Sequence, residues 1–456
     1  MDAQRGASAA LGNLSVNDEN RLLIVKLGAL EYLLPLLDSP NIDVQCNAVG
    51  IITNLASHEE NKAKIATSRI LTPLIRLASS DDMRVQRNAI GALLNLTHTH
   101  ECRTQLVAAD AIPLLASRLS SPDEGVQYYC VTSLSNIAVD SDNRQAMEPI
   151  SSTMIQKLVE LMSSPIARIK SQTALLLRNL ANEDKFQADI VEAGGLTPLL
   201  RFIRSEDPVL VLSAIGCLHN LSLNSQNVSA LMKAGLPESL VELLSDVDNE
   251  VQSHTVSTLW NLAASSDEHR SQIVHAGAVQ KIKDVVLHVP TNLQGEMTAC
   301  LALLASNGVP KIELVESGIC EILIPLTNSS TMKVQVNSAI LLSNLTEKDE
   351  QDYPAFNDVW DQPDGGMHTW LHRFMTSQDR VFQKMALGSC IQLLQFGDSE
   401  LKRNIRESSL LIPVVRQLAD TQPPLKGDGE AESLVGGSVV PRGLSLLAQK
   451  ILDLVD

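Results

Sequence analysis

The sequence repeats itself. An asparagine followed by an apolar residue closes one amphipathic stretch after another, at Asn13, Asn54, Asn95, Asn136, Asn179, Asn220, Asn261 and Asn344. The steps between them are 41, 41, 41, 43, 41 and 41 residues, and the last gap of 83 spans two periods with one degenerate unit between. A fixed period of this size marks stacked units, each burying its apolar face only against its neighbours. It overrides the division into about three domains that chain length alone would suggest.

The copy Val44-Gln45-Cys46-Asn47-Ala48-Val49-Gly50-Ile51-Ile52-Thr53-Asn54-Leu55-Ala56 reads as one helix. Val44, Ala48, Ile51, Ile52 and Leu55 share a broad apolar face at helical spacing. Val85-Gln86-Arg87-Asn88-Ala89 leads likewise into Leu94-Asn95-Leu96, Val126-Gln127 into Ser135-Asn136-Ile137, and Ile169-Lys170 into Arg178-Asn179-Leu180. Ahead of each such helix stands a short helix, then a turn in which Gly28, Gly195, Gly235, Gly277 or Gly318 supplies backbone freedom. A second helix follows, often with proline in its first turn (Pro73, Pro113, Pro198). Three helices per unit, the first one short, is the armadillo pattern rather than the paired-helix one. The expected fold is all-α, an armadillo-repeat right-handed superhelical solenoid.

Along the chain, residues 1–15 read as the end of a truncated first repeat and 16–420 as the repeat array. The array is degenerate after position 290 or so, with Leu303 and Leu393 at the asparagine place. Residues 347–366 form an acidic insertion with Tyr353, Trp360 and Pro363. Residues 421–443 lack apolar periodicity and read as a disordered loop, and 444–456 regain helical spacing as a C-terminal capping helix.

A formal charge of −17 argues against nucleic-acid binding, which needs clustered Lys and Arg. The seven cysteines are scattered and never in a CxxC pair, which points to reduced thiols. Neither a signal peptide nor a membrane span is visible, so the chain alone reads as soluble and cytoplasmic. No phosphate loop, dinucleotide fingerprint, zinc-protease or serine-hydrolase motif occurs, and the expectation is a non-enzymatic protein without cofactor. His98-Thr99-His100-Glu101-Cys102 reads as an inter-repeat loop rather than a metal site.

The candidate binding residues are the asparagines themselves. Asn54, Asn95, Asn136, Asn179, Asn220, Asn261 and Asn344 sit at the edge of the apolar face, one per repeat. A carboxamide offers donors and an acceptor, so such a row can hold both N–H and C=O of an extended peptide. Helices about 8–10 Å apart and strands rising about 3.3 Å per residue would match one asparagine to roughly every third peptide residue. The alternative is that these amides tie loops or cap neighbouring helices. One turn earlier stand mostly small residues, among them Gly50, Gly91, Gly216 and Ser257, which would let a bound backbone approach. Just before the mid-array asparagines stand Arg178, His219 and Trp260, read as a side-chain recognition patch. Tyr128-Tyr129 either line the groove or pack.

The runs Val44 to Gly50, Arg84 to Ala89, Val126 to Cys130 and Ser135 to Asp140 resemble the fungal vacuolar armadillo-repeat adaptors, the vacuolar protein 8 family. That resemblance implies a scaffold on the cytosolic face of the vacuole membrane. Such scaffolds hold extended or helical segments of partner proteins in an inner groove, in nucleus–vacuole junctions, vacuole inheritance, autophagy and vacuole fusion. It also implies anchoring through an N-terminal lipidation signal, and that signal is absent from this chain. Relatives place arginines before the mid-array asparagines; here only Arg178 fits, with His219 and Trp260 at the next two places. The other readings of the fold are a catenin-like signalling or junction scaffold and a nuclear-import-type receptor. The second would need a tryptophan ladder where Gly50, Gly91, Gly216 and Ser257 stand. A homodimer through the first half-repeat is compatible with the adaptor reading.

Overall fold

The computed structural model describes residues 2–305, 311–348, 356–361, 365–420 and 443–456. Tyr353, Pro363 and all of the expected loop at 421–443 but Gly443 lie outside them. The described residues are helical, without a strand among them, and divide into two compact units, Met1–Ala234 and Gly235–Asp456.

In the first unit the long closing helices Asp2–Leu14, Ile42–Ala56, Met83–Leu96, Glu124–Ile137, Ala167–Leu180 and Pro208–Ser222 pack one on the next. Their apolar faces meet in the interior: Val44, Ala48, Ile51, Ile52 and Leu55 are fully buried, as are Val85, Ala89, Leu93 and Leu96. In the second unit Asn249–Ala264, Thr291–Leu304, Met332–Thr346, Arg380–Phe396 and Leu444–Val455 succeed one another in the same way. Leu447, Ala448 and Ile451 of the last helix are buried, and Ser445 Oγ donates to the Ala419 carbonyl at 2.7 Å.

Helix ends dictate much of the local sequence, because each end leaves backbone groups without intrahelical partners. Six of the closing helices start on an Asx residue. Asn41, Asp82, Asp123, Asp207, Asp248 and Asp379 each accept first-turn N–H groups through the side chain. A serine two residues earlier holds the cap in turn, since the N–H groups of Asn41, Asp82 and Asp123 each donate to Ser39, Ser80 and Ser121 Oγ at 3.2 Å. The recurrent Val-Gln pair completes the turn. Gln45 donates to the Leu37 carbonyl (3.2 Å), Gln86 to Ser80 (3.0 Å) and Gln252 to Leu244 (2.9 Å). Each such glutamine pins a closing helix to the end of the preceding segment while its valine enters the core.

The C-terminal ends are closed by the short helix that follows. Asn61, Asn143, Gln187 and Asn227 donate to the carbonyls of Leu55, Ile137, Ala181 and Leu221 at 3.0–3.2 Å. Arginines do the same and bridge to the next repeat. Arg103 donates to the Thr97 carbonyl (3.1 Å) and to Asp140 (2.6 and 3.2 Å), and Arg144 to the Ala138 carbonyl (3.0 Å) and Glu183 (2.8 Å).

Two local expectations are corrected. Gly28, Gly235, Gly277 and Gly318 adopt φ between +77° and +92°, but in the fifth turn the left-handed residue is Gly194 (φ +79°). Gly195 has φ −65° and is needed for space instead, since a Cβ there would come within 2.9 Å of the Ile190 carbonyl oxygen. His98 to Cys102 is not wholly a loop: helix His100–Ala108 begins inside it, Thr99 Oγ accepts the Cys102 N–H at 3.4 Å, and Cys102 is buried.

Removing one cap should be felt locally. Asp82→Ala is expected to cost about 1 kcal/mol, read as a lower urea midpoint by circular dichroism; an unchanged midpoint would leave Ser80 and Gln86 as sufficient. Arg103 hydrogen-bonds Asp140 and holds its carboxyl below the usual range. A carboxylate so depressed stabilises the folded chain fully above its unfolded value, near ~4, and loses that contribution as pH falls through the folded value. The stability difference between the natural chain and Asp140→Asn should therefore be largest near neutrality and close on acidification. A difference independent of pH would contradict this.

Candidate peptide-binding face

Each ladder asparagine lies near the end of its closing helix and is half-buried. In the first unit the amide nitrogen turns sideways to the preceding closing helix. Asn95 donates to the Thr53 carbonyl (3.0 Å), Asn179 to Ser135 (3.2 Å) and Asn220 to Arg178 (3.1 Å), each acceptor standing just before the previous asparagine. Asn54 and Asn136 use hydroxyls instead, Ser15 Oγ at 2.9 Å and Thr97 Oγ at 2.8 Å. One N–H of each amide thus ties two repeats together. These five side chains make no other hydrogen bond among the described residues. A second N–H and the Oδ1 lone pairs are therefore not used among the described residues at these five rungs, a donor and an acceptor of the kind an extended backbone needs. Asn261 and Asn344 are half-buried in the second unit.

The small residues one turn earlier serve neighbours before they serve any ligand. A Cβ at Gly91 would lie 3.6 Å from both Thr53 Cγ2 and the Tyr129 ring, and one at Gly50 would lie 3.5 Å from Asn88 Nδ2. At Gly216 the space is filled by Arg178, whose Nε would be 2.5 Å from an added Cβ. The expectation of open room for a backbone is thus corrected at Gly216, where Arg178 of the preceding repeat uses it, while at Gly50 and Gly91 the neighbours stand at ordinary contact distance. Arg178 and His219 are half-buried on consecutive closing helices of the first unit. Trp260 belongs to the second unit and is 45% exposed, large for an aromatic residue in so aromatic-poor a chain.

Other residues share this face without having been singled out. Seven residues before the ladder, Asn47 donates to Ser8 Oγ (3.1 Å), Asn88 to Cys46 Sγ (3.7 Å) and Asn337 to the Gly295 carbonyl (3.0 Å). This second asparagine row was readable from the same helical spacing. Tyr129 occupies the corresponding place on the next helix, its ring against Gly91, with the Tyr128 ring 6.0 Å away. The Arg168 guanidinium sits 4.8 Å from the Tyr128 ring centroid. Neighbouring cations are neutralised. Arg84 pairs with Asp82 (3.0 Å) and Asp43 (3.3 Å), and Arg87 pairs with Asp123.

Burial pushes the Cys130 and Cys217 thiols up to about 12, so these cysteines are packing groups rather than nucleophiles.

Comparison with known proteins agrees with the architecture. The Armadillo/beta-catenin-like repeat model matches residues 17–57, 58–98 and 99–139, and the Plant U-box protein ARM repeat region model matches 129–265. Vacuolar protein 8 of Schizosaccharomyces pombe is 45% identical over 309 residues, 68% of this chain and 56% of that protein. Vacuolar protein 8 of Saccharomyces cerevisiae is 46% identical over 236 residues, 52% of this chain and 41% of that one. The chain therefore spans about half the length of the curated relatives it matches. The crystal structure of an engineered protein superposes with a TM-score of 0.71 at 28% identity, covering 86% of this chain and 95% of its own. Repeat period, three-helix units and these relatives agree that the chain belongs to the armadillo-repeat proteins and is homologous to fungal vacuolar protein 8.

Proposed function

We propose that this chain is a non-enzymatic scaffold of the vacuole membrane that holds extended or helical segments of partner proteins on its asparagine face. The observation that supports this most directly is the state of the ladder amides. In five successive repeats one N–H is fixed to the neighbouring helix, which orients the group, while the other N–H and Oδ1 make no bond among the described residues. Orientation before binding removes part of the ordering cost that a peptide complex must otherwise meet. Affinity in this reading comes from asparagine–backbone bonds, and selectivity from the side chains beside them, including Arg178, His219 and Trp260. Homology to proteins named vacuolar supports the site of action. Nucleus–vacuole contact, vacuole inheritance, autophagy and vacuole fusion are the processes such an adaptor would serve.

The test is capture of partners from fungal extract, with vacuolar, nuclear-envelope and autophagy proteins scored by mass spectrometry. Two variants are compared with the natural chain. Asn136→Ala with Asn179→Ala and Asn220→Ala removes three rungs, each worth about 0.5–1.5 kcal/mol if its bond to a peptide is net favourable. Together they should weaken capture on the order of tenfold to a thousandfold. Because those amides also tie repeats, the triple variant should melt lower too. Trp260→Ala, at a side chain 45% exposed beside the ladder, leaves these five amide bonds intact and should weaken capture with little change in melting temperature. Partner lists unchanged in both variants would make the ladder purely structural.

A further inference from the structure

The first unit treats its arginines in two ways. Arg84, Arg87, Arg103 and Arg144 each hold a carboxylate of their own or an adjoining repeat. Arg168 does not, and neither do Arg69, Arg118 and Arg201, but Arg168 alone of these four stands on a closing helix. Arg168 is exposed, its guanidinium lies over the face of Tyr128 at 4.8 Å, and no carboxylate among the described residues is within ion-pairing distance of it. Tyr128 and Tyr129 are half-exposed beside it, and the second ring is seated on Gly91. Tyr129 is seven residues before Asn136 and Arg168 eleven before Asn179, near-whole numbers of helical turns, so both stand on the ladder side of their helices. The result is an unneutralised planar cation above an aromatic pair, on the peptide side of a chain whose net charge is −17.

We propose that Arg168, Tyr128 and Tyr129 form a specificity site for an acidic side chain adjacent to an aromatic or aliphatic one in the bound segment. The inference rests on the peptide-binding reading of the ladder and adds the chemistry of the peptide. The guanidinium offers paired N–H donors in the geometry a carboxylate accepts, and the Tyr128 ring beneath it helps keep it oriented. The exposed remainder of the two rings supplies the apolar surface next to it. A segment with the opposite charge would meet Arg168 in repulsion, with no protein carboxylate nearby to offset it.

A random peptide library displayed on phage, panned on the full chain, tests both levels. Enriched peptides are then synthesised with a fluorescent label and titrated by anisotropy. The expected enrichment is Asp or Glu next to Phe, Tyr, Leu or Ile. Arg168→Glu, an exposed change whose folding is checked by circular dichroism, should weaken those peptides about tenfold, the size of a charge-assisted pair. The same variant should select Lys or Arg when panned itself, and Arg168→Lys should lose less than Arg168→Glu. Enriched peptides without an acidic preference, or an acidic preference untouched by Arg168→Glu, would overturn the specificity site while the ladder reading stands. If the chain enriches nothing beyond what a variant carrying Asn95→Ala, Asn136→Ala and Asn179→Ala enriches, the ladder reading fails and the specificity site with it.

Discussion

The structure depends on satisfying the backbone groups at helix ends. An α-helix leaves four N–H and four C=O groups without internal partners, and a chain cut into helices this short meets that demand every dozen residues or so. Water can satisfy an exposed end, but here the ends abut neighbouring repeats. The answer is a recurring set of side chains: in many repeats an Asx cap with a serine behind it, a glutamine that reaches back, and an Asn, Gln or Arg from the next short helix. Each contributes about 1 kcal/mol, comparable to what one repeat can spare. Because the caps are required at fixed places, they recur at the period of the repeat.

That recurrence made the fold legible. The apolar face of each closing helix follows from spacing alone, and Val44, Ala48, Ile51, Ile52 and Leu55 are all buried where the pattern puts them. The turn glycines were nearly as clear, because a left-handed residue between two antiparallel segments favours glycine. Gly194-Gly195 misled because two glycines stand together for different reasons: one adopts positive φ, and the other makes room against Ile190. Asp110, at φ +59°, performs the turn without a glycine and leaves no sequence signal of it.

The role of the polar residues was less legible than their position. A carboxamide at a fixed edge of a helix can bond a ligand or the adjoining helix with the same atoms, and spacing within one helix does not say how far the next one lies. In Asn95, Asn179 and Asn220 one N–H is taken by the neighbour and the rest of the group is not, so the two readings divide the amide between them. Gly216 shows the same limit from the other side. Absence of a side chain reads as space, yet Arg178 from the preceding repeat fills it. The Val-Gln pairs were visible as markers of the repeat, but their meaning required knowing the partner carbonyl six or eight residues earlier, which the pair itself does not announce.

Charge on the ladder face follows from the same division of labour. Arg21, Arg76, Arg84, Arg87, Arg103 and Arg144 of the first unit are committed to carboxylates, and some of them also hold one repeat to the next, as Arg103 does through Asp140 and Thr97. A count of basic residues therefore says little about ligands, because a cation paired within the protein presents no net field to a peptide. What matters is which cation has been left without its carboxylate. Arg168 meets that condition on a closing helix, with its guanidinium over the half-buried Tyr128 ring. Structural arginines are fixed by what they already hold, and a recognition arginine is distinguished by what it does not.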